Sequence, residues 1–371
     1  MNRATSAGRW SWLLAVAAAP MLTGAATAQS PAFSLRVLSA ASGENWGMVY
    51  GINNVGQAVG VASGSVCPNG CPVVWLGGTA TVLGAVNGAF AYGPLAINDV
   101  GQVVGTVELS GTIKTFQAVA WNSGTPMLLA SPSSQYASTY AVSINDAGLV
   151  VGSATRAGNV DSVPVEWNGT TPTVLGFAPG YRSGYAKGVN DNGLIVGEIC
   201  CKPMDGDAVE WQGTTPTLLA TANTPHPGGT ALAANNSGLV VGAASNAAGA
   251  THAAAWSDGS LTDLGTLATG TASSATAVNA GGVIVGKSDT VGAAESHATL
   301  WGSVGAAPQD LNKLISPERA AEFDLTGATG INDNCVIVVN GFNRKTGNNE
   351  AFALTLTDQS SCLNGTLIQR K

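Results

Sequence analysis

The stretch Ile144–Gly152 reads Ile-Asn-Asp-Ala-Gly-Leu-Val-Val-Gly and decides the fold of this chain. Asn and Asp side chains bond to nearby backbone groups and Gly accepts a positive φ, so Asn145–Gly148 predicts a tight turn. The β-branched residues after the turn predict a strand, and the residues before it predict another. The stretch is therefore typical of a β-hairpin.

Seven copies of this hairpin recur along the 371 residues. Their shared asparagine stands at Asn53, Asn98, Asn145, Asn190, Asn235, Asn279 and Asn332, in steps of 45, 47, 45, 45, 44 and 53 residues. About 22 residues after each asparagine comes a large apolar residue: Trp75, Trp121, Trp167, Trp211, Trp256, Trp301 and Leu354. We interpret the tryptophans as packing between repeats, not as sugar platforms, because their place in the repeat never changes.

Each repeat predicts four short antiparallel strands, which is typical of a propeller blade. The fold class is therefore all-β, a seven-bladed β-propeller with four-stranded blades. Ser34–Ala40 resembles a fourth strand without its own first three, so we expect this N-terminal strand to complete the last blade and leave no open sheet edge. A β-solenoid or a β-prism is the main alternative.

The N-terminus has the order of a secretory signal peptide, residues 1–28. Arg3 and Arg9 precede the apolar run Trp10–Leu22, and small residues end at Ala28. The run is shorter than the roughly 20 residues that span a bilayer, although an uncleaved anchor is the alternative. We expect one propeller domain over residues 29–358, a tail over 359–371, no membrane span after cleavage, and a secreted monomer, extracellular or periplasmic.

Composition excludes several classes of protein. Lys and Arg number 15 against 22 Asp and Glu, a net charge of −7, so a nucleic-acid partner is not expected. Hydrophobic residues make up 45% of the chain, which argues against a disordered protein. Only three histidines are present, which leaves little material for histidine-based catalysis.

The repeated pattern resembles the bacterial extracellular HAF repeats over residues 34 to about 358. Its clearest copy combines Asn235–Gly242, His252-Ala-Ala-Ala-Trp256 and Asp263-Leu264-Gly265. The resemblance implies export and a repeated β architecture, and it brings no catalytic or binding residues with it. Other repeats depart from the pattern, since the His position holds Gln117, Val163, Asp207 or Glu350.

Blade geometry predicts tight first-to-second and third-to-fourth turns on one face, and long second-to-third and fourth-to-first connections on the other, the long-loop face. Binding residues are expected on that face, because rigid elements hold its loops. Weak catalytic candidates are His226, Tyr181, Arg182 and Asp205, and weak ligand-binding candidates are Trp46, Arg156 and Asp207.

No complete metal or cofactor motif is present. Asp205 and Asp207 alternate on one predicted loop and could bind Ca²⁺, but a full Ca²⁺ loop signature is lacking. His252 and His297 occupy the same position in adjacent repeats. We expect both to have a structural role, and a shared metal ion is the alternative.

The six cysteines fall into three local pairs, and six cysteines allow fifteen connectivities. In an exported chain we expect disulfides between the neighbours Cys67 and Cys71, Cys200 and Cys201, and Cys335 and Cys362. The last of these would tie the tail to the final blade.

These observations predict an exported binding or interaction module for a carbohydrate or an envelope protein. The alternative is a secreted polysaccharide lyase or glycoside hydrolase on the same scaffold.

Overall fold

The computed structural model describes residues 32–39, 46–64, 67–93, 96–111, 114–158, 161–202, 205–221, 228–290, 296–358 and 362. For residues 64, 67–69, 201–202 and 205 only the backbone is described. The predicted signal peptide and the tail apart from Cys362 lie outside these ranges. The described residues belong to one compact unit, Pro31–Lys371.

The described strands form seven antiparallel sheets, and each sheet is one blade. Strand β1 is Phe33–Val37. Blade 1 holds β2 (Gly47–Ile52), β3 (Gln57–Gly64), β4 (Cys67–Leu76) and β5 (Thr79–Val82). Blade 2 holds β6 (Ala89–Tyr92), β7 (Ala96–Ile97), β8 (Val103–Leu109), β9 (Thr115–Asn122) and β10 (Thr125–Leu128). Blade 3 holds β11 (Tyr136–Ile144), β12 (Leu149–Arg156), β13 (Ser162–Asn168) and β14 (Thr171–Val174).

Blade 4 holds β15 (Ser183–Val189), β16 (Leu194–Lys202), β17 (Asp205–Gln212) and β18 (Thr215–Leu218). Blade 5 holds β19 (Gly229–Ala234), β20 (Val240–Ser245), β21 (Thr251–Ser257) and β22 (Ser260–Gly265). Blade 6 holds β23 (Ser273–Val278), β24 (Ile284–Asp289), β25 (Ser296–Trp301) and β26 (Gln309–Asp310). Blade 7 holds β27 (Phe323–Ile331), β28 (Ile337–Asn343) and β29 (Asn349–Leu356).

The N-terminal strand closes the ring, as predicted. Strand β1 pairs antiparallel with β29 as the fourth strand of blade 7, with Phe33 opposite Leu356 and Val37 opposite Phe352. The first strands of neighbouring blades contact one another around the axis, so the fourth strands lie outermost. The seven-bladed, four-stranded propeller predicted from the repeats is therefore confirmed.

The connection between blades 6 and 7 contains extra residues, which make the step from Asn279 to Asn332 the longest of the repeat. A 3₁₀ turn (Leu311–Lys313) and a short helix, α1 (Pro317–Glu322), follow β26. Ser316 caps α1 by accepting a hydrogen bond from the backbone N–H of Arg319, and Pro317 begins the helix, where its missing N–H costs nothing.

The six tryptophans at the repeat position pack between blades, as the sequence predicts. Each is at most 2% exposed, and each indole N–H donates to a carbonyl at the end of the preceding blade or, for blade 1, to Ser39. Trp167, for example, donates to Ala130 at 2.8 Å. Space between strands is also tight, because a Cβ at Gly152 would overlap the carbonyl oxygen of Tyr140.

Two predicted long connections are instead hairpins. The strands of blades 1 and 4 extend until only two residues separate β3 from β4 and β16 from β17. Cross-strand pairing continues to the end, with Gly64 opposite Cys67 and Lys202 opposite Asp205. The fourth-to-first connections are longer and define the long-loop face.

Candidate functional site

The asparagine of each repeat forms a closed hydrogen-bonded ring around the axis. Each side-chain Nδ2 donates to the backbone carbonyl of the asparagine in the next blade, at 2.8–3.2 Å, and Asn332 closes the ring on Asn53. Each Oδ1 accepts the backbone N–H of the residue four positions later, at 2.8–3.0 Å. All seven asparagines are only 3–6% exposed, so the ring is a satisfied polar network inside the protein.

A second polar layer covers this ring on the tight-turn face. It consists of Asn54, Asp99, Asp146, Asp191, Asn236, Ala280 and Asp333. Six backbone N–H groups of the layer donate to the side chain in the next blade at 2.7–2.9 Å, and Ala280 leaves the one gap because it has no acceptor. Burial raises the pKa of Asp146, and the charges of Asp191 and Asp99 raise it further.

The axial cavity between these layers has a volume of about 230 Å³. That is below the 300–1,000 Å³ usual for ligand pockets, and its walls bond mainly to one another. Among the described residues no group of three or more His, Cys, Asp or Glu side chains is placed to hold a metal ion. The residues around the axial cavity therefore serve mainly to hold the seven blades together.

An aromatic belt lies on the long-loop side of blades 2 to 4. We define it as Phe116, Tyr136, Tyr140 and Tyr185 together with the cations Arg156 and Lys187. The rings of Phe116 and Tyr140 stack with centroids 5.4 Å apart. The Arg156 guanidinium lies 5.8 Å from the Tyr136 ring and the Lys187 ammonium 5.0 Å from the Tyr185 ring. All four rings are half-buried, so each keeps some surface toward solvent.

The belt continues across blade 4. Lys187 pairs with Glu198 at 3.4 Å. Tyr181, in the connection before β15, donates its hydroxyl hydrogen to the carboxylate of Asp207. All six tyrosines of the chain lie in the first strands of blades 1 to 4 or in the connections before them. The first strands of blades 5 and 6 hold smaller residues, such as Thr230 and Ser274.

The sequence-predicted site residues are only partly brought together. Tyr181 meets Asp207, Arg182 is exposed beside them, and Arg156 covers Tyr136. Trp46 is half-buried and packs with the core between blades 1 and 2. His226 and the side chain of Asp205 lie outside the described residues, so their catalytic roles stay predictions.

The Ca²⁺ alternative places Asp205 and Asp207 on a loop, whereas the structure places both residues in a strand. Asp205 and Asp207 belong to β17, whose backbone is paired with β16, and Asp207 is buried at 7% exposure. A Ca²⁺ loop needs backbone carbonyls turned toward the ion, which a paired strand does not offer.

The cysteine predictions have mixed outcomes. Cys335 and Cys362 form the predicted disulfide, with Cα atoms 5.9 Å apart. Cys71 is disulfide-bonded, while the side chain of Cys67 lies outside the described residues. Cys200 carries a thiol, so the predicted disulfide to Cys201 is wrong. Both residues lie in the paired strand β16 and not in a loop.

The two histidines of the repeat pattern each bind an aspartate of the same blade. His252 Nδ1 lies 2.9 Å from Asp263 Oδ1, and His297 Nδ1 lies 3.0 Å from Asp310 Oδ2. His297 Nε2 is also 3.7 Å from Asp324 Oδ1. Each imidazole thus contacts nearby carboxylates, which agrees with the structural role expected for both histidines.

Solved structures share the fold of this chain at low sequence identity. A prolyl endopeptidase matches 85% of this chain and 50% of its own length, at 12% identity and a TM-score of 0.55, so this chain spans about half of that protein. The β-propeller domain of the Trilobed protease from Pyrococcus furiosus matches 72% of this chain and 84% of its own, at 11% identity and a TM-score of 0.50. These similarities concern the fold alone.

No protein-family model matches the chain, and no curated protein sequence does. Within the described ranges, no helix is both long and apolar enough to cross a membrane.

Proposed function

We propose that this protein is an exported, HAF-repeat-like binding module that binds a carbohydrate chain on the aromatic belt. The observation that carries the proposal is the clustering of Phe116, Tyr136, Tyr140 and Tyr185 with Arg156 and Lys187 on the long-loop side of three successive blades. The closed ring gives these side chains a rigid support, as binding loops require.

The belt suits a sugar chain for physical reasons. A half-buried tyrosine offers an apolar ring face for the C–H groups of a sugar and a hydroxyl for hydrogen bonding. Arg156 and Lys187 add donors that match hydroxyl or carboxylate groups, and Glu198 adds an acceptor. Recognition spread over three blades favours an extended polymer over a single small molecule.

Export is supported by the leader pattern and by the disulfide chemistry. Cys335–Cys362 and the disulfide at Cys71 are typical of an oxidising compartment. An envelope protein is the other partner that the sequence predicts, and it becomes an outcome of the same binding experiment.

The test is a glycan array followed by calorimetry with the sugars that bind. Arg156→Ala and Tyr185→Ala should each weaken binding about tenfold, on the order of 1–2 kcal/mol for a lost cation–π or stacking contact. Arg319→Ala is a matched control, because Arg319 lies 5.7 Å from the Phe323 ring but outside the belt. Retained binding in both belt variants, or binding of envelope proteins alone, would overturn the carbohydrate proposal.

The alternative of a lyase or hydrolase is tested with the same sugars. Reducing-end and unsaturated-product assays should show no turnover by the wild-type protein. Turnover that His226→Ala abolishes would instead establish the enzyme.

A further inference from the structure

Blade 5 breaks a pattern that blades 1 to 4 share at their outer edge. In those blades a valine on the third strand stands opposite a valine or leucine on the fourth: Val73 and Val82, Val119 and Leu128, Val165 and Val174, Val209 and Leu218. In blade 5 the same cross-strand pair is Ala254 and Asp263. Two apolar side chains are thus replaced by one methyl group and one carboxylate.

A cavity of about 460 Å³ lies at this position, on the side of blade 5 that faces blade 4. Its volume is within the range usual for small-ligand pockets and twice that of the axial cavity. The apolar residues that line it are small apart from one leucine: Ala220, Ala244, Ala247, Ala253, Ala254 and Leu261.

The polar part of the wall is concentrated at Asp263. Its Oδ1 accepts the backbone N–H of Gly265 at 2.8 Å and lies 2.9 Å from His252 Nδ1. The side chain is still 46% exposed, so the carboxylate has surface left for a ligand. The side-chain amide of Asn246 lies 3.3 Å from His252 Nε2. No Lys or Arg is among the described residues that line the cavity.

We propose that this cavity binds a small organic cation, a primary amine with an apolar body. The ammonium group donates to Asp263, and the apolar body lies on the alanines and Leu261. A small anion would meet the carboxylate, and a pure hydrocarbon would leave the polar wall without partners, so neither fits as well. The equivalent Asp310 of blade 6 makes the same histidine contact but is only 7% exposed to solvent, so it offers no comparable surface.

The test uses three probes of one shape and different charge: cyclohexylamine, cyclohexanol and cyclohexanecarboxylate. Binding to the full mature chain is measured by ligand-observed NMR and calorimetry at neutral pH. Cyclohexylamine should bind at least about tenfold more tightly than the other two, because its hydrogen bond to Asp263 is charge-assisted.

Two variants localise the binding. Asp263→Asn keeps an acceptor for Gly265 but removes the charge, and it should weaken cyclohexylamine at least about tenfold. Ala254→Val narrows the cavity with the residue found in blades 1 to 4, and it should weaken cyclohexylamine binding about tenfold. The controls are Asp310→Asn, the matched carboxylate of blade 6, and Ala255→Val, which faces the other side of the same strand.

Equal binding of all three probes, or unchanged affinity in Asp263→Asn and Ala254→Val, would overturn the proposal. Loss of binding in a control variant to the same degree would also overturn it. The glycan proposal does not depend on this result, because the belt residues lie on blades 2 to 4.

Discussion

At the axis, all seven blades place the same asparagine in the same ring, whereas at the outer edge blade 5 replaces the valine pair of blades 1 to 4 with Ala254 and Asp263. The axial links are interdependent, because the side chain of each asparagine donates to the asparagine carbonyl of the next blade, and its own carbonyl accepts from the asparagine of the previous blade. An outer strand pairs only with its own blade, so it can change alone. Uniform positions of the repeat therefore serve the ring, and departures from the repeat are where a binding site can arise.

The largest expected effect comes from breaking the ring. Asn190→Ala removes the donor to the Asn235 carbonyl and the acceptor of the Leu194 N–H, both inside the protein. The Leu194 N–H is orphaned at about 1–3 kcal/mol, whereas the Asn235 carbonyl keeps the N–H of Gly238 and loses about 1 kcal/mol, so the free energy of unfolding should fall by roughly 3 kcal/mol. Chemical denaturation measures the change.

Asn192→Ala is the control in the same turn. Its exposed side chain makes one hydrogen bond, to the Asn236 carbonyl at 2.8 Å, so its loss should cost less than about 1 kcal/mol. Equal losses from the two variants would contradict the structural role assigned to the buried ring.

Much of the fold is predictable from the sequence, because the same residues recur at a spacing of about 45 positions. The hairpin of Asn145–Gly148, the interblade packing of Trp167 and the closure by β1 are all readable from spacing. The axial ring is not, since its bonds join residues about 45 positions apart and depend on how neighbouring blades meet. The belt escapes detection for the same reason, because Phe116 and Tyr140 come together only when two blades pack.

Two predictions failed because strands extend further than the composition suggests. Asp205 and Asp207 read as loop residues, yet β16 and β17 pair almost to the turn. Cys200 and Cys201 also read as loop residues, yet both lie in the paired strand β16. His252 and Asp263 are visible in the repeat pattern, but their contact and the cavity beside it appear only in the structure, where the cavity depends on the missing volume of Ala254.

The disulfide of blade 7 is a departure from the repeat at the axis itself. Cys335 occupies the glycine position of the turn and has a φ of 54°. Cys362→Ser removes the disulfide between two residues 27 positions apart. Because the unfolded chain loses this constraint, the free energy of unfolding should fall by about 3 kcal/mol.

Cys335→Gly should cost about 1 kcal/mol less than Cys335→Ala, because glycine adopts positive φ without the penalty of a side chain. Both variants lose the disulfide, so their difference isolates the backbone. Equal stability of these two variants would contradict the conformational argument.

Restoring the outer edge of blade 5 to that of blade 3 should have a smaller effect of opposite sign. The triple variant His252→Val, Ala254→Val and Asp263→Val reproduces Val163, Val165 and Val174. Filling the cavity buries additional methyl groups at about 0.8 kcal/mol each, so stability should rise by about 1 kcal/mol. Chemical denaturation measures the gain, and a stability loss would show that the Ala254 and Asp263 pair is needed for folding.

The smallest effect is expected at the second axial layer, where charge can be removed without changing shape. Burial, Asp191 and Asp99 raise the pKa of Asp146 above its ordinary 3.8, so its carboxylate is less favourable in the folded state than in the unfolded one. The wild-type protein therefore loses stability as the pH rises from 3.8 through the raised pKa, and this loss is absent below 3.8.

Asp146→Asn keeps the acceptor for the Asp99 N–H, as Asn54 and Asn236 do in other blades. Its Tm at pH 7 and low salt should be about 1 °C higher than that of the wild type, and the difference should vanish below the ordinary pKa and shrink in high salt, which screens the repulsion from Asp191 and Asp99 but not the effect of burial. A difference that persists below the ordinary pKa would mean that shape, not charge, distinguishes Asp from Asn in this layer.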